Sequence, residues 1–173
     1  MSTQTGSATL TAIPSSSLAA RSLHALTATR ASLTPTVLRV ALGLVMFPHG
    51  AQKLLGWFGG YGFDGTMGFL TGQAGLPTPI AFLVIMIEFF GSLALIAGAF
   101  SRVAALGVIA VMVGAVATVH LPNGFFMNWS GAQAGEGFEY HVLAIGIALA
   151  VVISGSGLFS IDRAVNRHAD NTR

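Results

Sequence analysis

Five side chains in this sequence sit among neighbours that do not solvate them: His49, Lys53, Glu88, His120 and His141. Glu88 lies in Ile85-Met86-Ile87-Glu88-Phe89-Phe90, in the middle of an apolar run. A carboxyl there must pair, take up a proton or reach water. It could handle protons or orient a ligand. It could equally be structural, as a partner for Arg39 or as a neutral acid bonded to another helix. Arg39, Met46 and Lys53 fall at heptad spacing, and His49 and Lys53 stand at i,i+4, so a helix here carries one polar stripe. Lys53 could simply snorkel to an interface. His49 lies a turn deeper and follows Pro48.

Imidazoles and carboxylates at one depth could bind a metal, ligate haem or hydrogen-bond the carbonyls of a quinone. No HxxxH or ExxH spacing occurs within a helical segment, which makes metal and haem the weaker expectations. With zero cysteines, thiol exchange, iron–sulfur ligation and thioether attachment of haem are excluded. A small-ligand pocket remains, with quinone as the candidate cofactor. The alternative is a structural cluster in which each histidine is an interfacial hydrogen-bonder. The catalytic candidates are Glu88 and His49. The ligand-binding candidates are Arg39, Lys53, Trp57, His120 and His141, and no metal ligand is assigned.

Four apolar segments must hold these groups: roughly Pro35–Leu55, Thr78–Phe100, Arg102–His120 and Glu139–Ser160. Each approaches the ~20 residues that cross a hydrocarbon core ~30 Å thick. The 173 residues are 53% hydrophobic and 8% charged, whereas a soluble domain is about one quarter charged. The expected fold is an all-α integral membrane protein with a four-transmembrane-helix bundle. In it His49 nears the outer end of the first span, His120 ends the third on that side, and His141 opens the fourth there. Glu136 and Glu139 are close in sequence.

Charge gives the threading. Arg21, Arg30 and Arg39 precede or open the first span, Arg102 divides the second from the third, and Arg163, Arg167 and Arg173 follow the fourth. An even number of spans puts all of them on one side, with only Lys53 toward the other. Both termini are therefore expected in the cytoplasm. Arginines beside span ends suit anionic lipid headgroups, not nucleic acid. Residues 1–34, rich in Ser, Thr and Ala, are read as a disordered cytoplasmic tail or, less simply, a transit peptide. Residues 35–163 form the membrane domain and 164–173 a short cytoplasmic tail. Outside lie Gly56–Pro77, with glycines interleaved with Trp57, Phe58, Tyr61, Phe63 and Phe69, and Leu121–Phe138. Asp64 could cap a short helix over Gly65–Thr71. Small residues every fourth position (Ala110, Gly114, Thr118; Gly146, Ala150, Ser154) suit close helix packing, within the bundle or between copies in a homo-oligomer.

Read together, several stretches resemble the DoxX family of small bacterial inner-membrane proteins. Arg39-Val-Ala-Leu-Gly43 and Phe47-Pro-His49-Gly-Ala-Gln-Lys53-Leu are similar to its opening signature. Glu88-Phe-Phe-Gly91, Gly98-Ala-Phe-Ser-Arg102, His120-Leu-Pro-Asn-Gly-Phe125 and Glu139-Tyr140 continue the likeness. Gly155-Ser-Gly-Leu-Phe-Ser-Ile-Asp-Arg163 resembles the closing pattern, with Ser156 where proline is common. The resemblance implies four helices in the bacterial plasma membrane and a role in quinone-coupled oxidoreduction, thiosulfate oxidation included, or in membrane redox complexes. Most members have no assigned reaction. Two expectations follow: a membrane subunit of a quinone-coupled redox system, or a non-catalytic anchor or assembly partner for a soluble redox enzyme. A small proton-linked permease using Glu88 is a third, and four spans are few for it.

Overall fold

A computed structural model describes residues 18–29 and 31–171, and all regular structure among them is helical. Residues 1–17 with the Arg21 side chain, Arg30 and Arg173 lie outside the described residues. Helix α1 (Leu18–Thr27) leads into α2 (Leu33–Leu55), which starts where the Ser32 hydroxyl accepts the Thr34 N–H at 3.3 Å. Helix α2 runs through Pro48 and stops at Gly56, whose φ of 73° is the left-handed conformation that glycine adopts freely. A short helix, α3 (Gly62–Gly72), follows, with Asp64 inside its first turn rather than at its cap. Next come α4 (Thr78–Met86), a π-helical turn over Ile87–Gly91 and α5 (Ser92–Ala97), stacked as one rod. Another rod is α6 (Ser101–Ala115) continued by a π-turn over Val116–His120 and a 3-10 turn over Leu121–Asn123. Helices α7 (Glu139–Ser154) and α8 (Ile161–Asn171) complete the chain.

Two rods, Thr78–Ala97 and Ser101–Asn123, are long and apolar enough to cross a membrane by themselves. Helix α2 has the length but also carries Arg39, Gln52 and Lys53. Helix α7 has 16 residues and stops at Ser154, earlier than expected, because Gly155 and Gly157 both take positive φ. The tails differ from expectation too. Within the expected disordered tail, Leu18–Thr27 is helical, and it packs against α8, which continues the helix content past residue 163. The Thr27 hydroxyl donates to Asn166 Oδ1 at 3.0 Å across that contact.

Helix α2 packs against α5, the preceding π-turn and α7, while α6 lies along α7 and touches the same π-turn. Leu42, Met46, Leu95, Ala105, Val108, Val111, Ala148 and Val151 fill the space between them. Helix α2 approaches the Thr78–Ala97 rod closely at Gly43 and Gly50. A Cβ on Gly50 would fall 2.6 Å from the Phe89 Cα and one on Gly43 2.9 Å from the Ser92 carbonyl oxygen. The repeats at Ala110–Thr118 and Gly146–Ser154 do not serve this purpose, since a Cβ on Gly114 or Gly146 would meet open space. Their expected part in packing within the chain is therefore corrected. Gly50→Ala should force α2 off the π-turn and destabilise the fold by about 1–3 kcal/mol. An unchanged thermal midpoint in detergent would show the approach to be dispensable.

Two buried charges lock one end of the molecule. The Arg39 side chain, 1% exposed, donates from Nε to the Ser156 carbonyl at 2.7 Å. Its Nη1 reaches the carbonyls of Leu95 (2.7 Å) and Ile96 (2.5 Å), and its Nη2 those of Leu158 (3.4 Å) and Phe159 (2.7 Å). All the N–H donors of a guanidinium are thus engaged. Asp162 does the converse, accepting the N–H groups of Phe100 (2.7 Å) and Ser101 (3.1 Å) and the hydroxyl of Ser156. A cation closes the carbonyl end of α5 and an anion the amide end of α6, as the helix dipoles require.

Candidate functional site

At the opposite end of α2, the π-turn places Glu88 against Lys53. Glu88 Oε2 lies 2.6 Å from Lys53 Nζ, with the carboxyl side chain 5% exposed and the lysine 28%. A π-turn fits one extra residue into the helix, and such turns are frequent at functional sites. Glu88 therefore contacts the polar stripe of α2, but through Lys53 rather than Arg39, which is corrected as its expected partner. Arg39 is also corrected as a ligand-binding candidate. Every donor it has is held by backbone carbonyls at the other end of the rod.

His49, one turn before Lys53, is exposed on the surface of the isolated chain, and Lys53 and Glu88 are the charges that act on it. His120 and His141 stack with ring centroids 4.2 Å apart. His120 stands in the second π-turn, and its Nδ1 lies 2.8 Å from the Glu136 carbonyl, so this nitrogen carries the donated proton. His141 opens α7. Its Nδ1 is buried without a hydrogen-bond partner, and His120, His49 and Lys53 all lie within electrostatic reach of it. The three histidines that the sequence expects at one depth are thus brought together with Lys53 and Glu88.

The loop between the Ser101–Asn123 rod and α7 holds the histidine pair. Glu136 Oε2 accepts the Asn128 N–H at 2.7 Å and Glu139 Oε2 that of Met127 at 3.2 Å, folding the loop over the start of α7. Both acids are spent on loop geometry. Among the described residues no three His, Asp or Glu side chains converge as a metal would need. Trp57 lies in the exposed turn after α2, with its ring edge-on to Phe58, and no described contact joins it to the histidines. Two clefts lie elsewhere: one beside Phe159 and Arg163, the other of about 310 Å³ along Ile87, Phe90, Phe100 and Gly107.

Chemically, the cluster offers an ion pair removed from bulk solvent, an unpaired imidazole nitrogen and a second imidazole of fixed orientation. It can bind an acceptor such as a carbonyl oxygen and supply a proton to it. Sequence reasoning does not assign the clasp of Asp162, Ser156 and Ser101. Its one signal was an acid placed just after the Gly-Ser-Gly break.

The family model for DoxX matches residues 34–121, half of the chain. The chain belongs to the DoxX family. The matched DoxX stretch contains Arg39, His49, Lys53, Glu88 and His120, so the ion pair lies within it and His141 beyond it. A protein of Bacillus subtilis (strain 168) named "Putative oxidoreductase CatD" is 30% identical over 135 residues, covering 78% of this DoxX chain and 89% of the relative. No solved structure matches.

Proposed function

We propose that this DoxX protein is the membrane subunit of a quinone-coupled redox system, with its four long helices bundled across the bacterial plasma membrane and both termini cytoplasmic. The carrying observation is the buried Lys53–Glu88 pair beside the stacked His120 and His141. An ionisable pair is expensive inside a bilayer and is retained where it serves a polar ligand or pathway. The relative named as an oxidoreductase supports the same reading. The orphaned His141 Nδ1 fits a ligand bearing a carbonyl.

When bound, a quinone supplies a two-electron, two-proton couple. In this reading the chain binds and orients it. His141, and His49 from the facing helix, donate to its carbonyl oxygens, while Lys53 favours negative charge on the ring and Glu88, ionised against Lys53, can take up and relay a proton close by. Electrons would come from a soluble redox enzyme at the membrane surface. Titration of the purified protein with a short-chain ubiquinone, followed through Trp57 and Trp129, should show saturable quenching. His49→Ala and His141→Ala should each weaken binding about tenfold or more, with helix content unchanged. A folded protein that neither retains nor binds quinone sinks this reading.

The second reading is a non-catalytic anchor or assembly partner. One observation favours it: both described clefts lie away from the histidines. Threading is common to both readings and rests on the arginine asymmetry. Reporters fused after Phe100 and Ser160 should behave as cytoplasmic, and those at Gly60 and Gly131 as external. A periplasmic carboxyl terminus would contradict it.

A further inference from the structure

The end of the molecule locked by Arg39 and Asp162 carries a feature that the redox reading does not use. Where the chain leaves α7 for α8, an open cleft of about 280 Å³ is lined by Leu158, Phe159, Ser160, Arg163, Ala164 and Arg167. Arg163 and Arg167 are one helical turn apart and share a face of α8. Arg39 and Arg102 donate to backbone carbonyls, but neither of these two guanidinium groups has a hydrogen bond or ion pair among the described residues. Among the described residues they are cations without a counter-charge.

The floor beside them is apolar, and the backbone holds it in place. The Leu158 carbonyl accepts the Thr36 hydroxyl at 2.7 Å and the Phe159 carbonyl accepts Arg39 Nη2 at 2.7 Å. Phe159 is fixed at a φ of 52°, and the residue is 82% exposed. A large apolar ring held outward next to two unpaired cations suits an occupant with an anionic head and an apolar body. A free phosphate would satisfy the arginines and leave Phe159 in water. A neutral hydrocarbon would leave the arginines unused.

We propose that this cleft binds one anionic glycerophospholipid, its phosphate between Arg163 and Arg167 and the start of its acyl chains over Leu158 and Phe159. The site rests on the reading that the long helices cross a membrane with this end cytoplasmic. That reading brings the residues after Ser154 to headgroup level, where basic pockets meet anionic lipid. Phe159 is then the interfacial aromatic of the site.

Native mass spectrometry of the full-length protein in detergent tests it with two short-chain lipids. Dioctanoyl phosphatidylglycerol should bind about 30-fold more tightly than dioctanoyl phosphatidylcholine, the preference that two arginines near a headgroup supply. Arg163→Gln/Arg167→Gln should lose this preference. Phe159→Ser should weaken both lipids alike and leave their ratio intact. Equal binding of the two lipids by the parent protein overturns the proposal, whatever the variants do. Glycerol 1-phosphate binding as tightly as the lipid also overturns it, since the site would then belong to a soluble phosphate. Alkaline carbonate extraction separates the two levels of inference. Release from membranes sinks the membrane reading, whereas a protein that stays embedded without headgroup preference sinks only the lipid site.

Discussion

Arg39→Leu is expected to be the most damaging single change in this chain, destabilising it by on the order of 4 kcal/mol or more. The leucine would remove the guanidinium donor from five carbonyls: Leu95 keeps the Gly98 N–H and Leu158 the Thr36 hydroxyl, while those of Ile96, Ser156 and Phe159 have no other described donor. Each buried acceptor left unpaired costs about 1–3 kcal/mol. Phe159 would also keep its left-handed backbone without the bond that holds it. Thermal midpoints in detergent should fall by roughly 8–16 °C for the leucine variant. Arg39→Lys should lie between the two, because an ammonium cannot present the planar fork that reaches three segments at once. A leucine variant within about 1 kcal/mol of the parent would show that the clasp does not hold the fold.

The second large effect concerns Lys53 and Glu88. Glu88→Leu should destabilise the protein by about 3–5 kcal/mol, because it strands a mostly buried ammonium. Glu88→Gln should do less harm, since the amide oxygen still accepts from Lys53. The double variant Lys53→Met/Glu88→Leu should recover most of the loss, as replacing both charges removes the desolvation penalty along with the attraction. Chemical denaturation of the parent, Lys53→Met, Glu88→Leu and the double variant gives the coupling directly. If the double variant is stable and still binds quinone, the pair is structural only. If it is stable and does not bind, the pair belongs to the ligand. A Glu88→Leu protein as stable as its parent and binding quinone equally well would remove both roles.

The sequence made the long apolar segments legible, because hydropathy over about 20 residues is a cumulative signal. Helix ends were less so. Gly155 and Gly157 stop α7 well before Ser160, and the left-handed Phe58, Phe100 and Phe159 have no marker in residue type. Helices α1 and α8 have no marker in an Ala-rich or polar sequence, and what orders them is packing against each other and, for α1, against α6. Heptad spacing put Arg39 and Lys53 in one stripe, correctly as to face. Their separation of fourteen positions spans about 21 Å of helix, however, too far for one site. His120 and His141 flank one loop, so their meeting was readable. That Glu88 meets Lys53 rather than Arg39 was not, because a π-turn shifts the helical phase and leaves no signature in composition.

That phase shift constrains how the second rod can change over evolution. A π-turn is equivalent to a single inserted residue, and deleting one residue from Ile87–Gly91 would restore an ordinary α-helix. The two halves of the rod would then be rotated by about 100° relative to each other. Ala81 and Ile85 on one side, or Ser92 and Leu95 on the other, could keep facing the core, but not all four together. The length of this helix is therefore fixed to the residue. Relatives lacking the extra residue would have to hold their acid at a different height, facing a different neighbour.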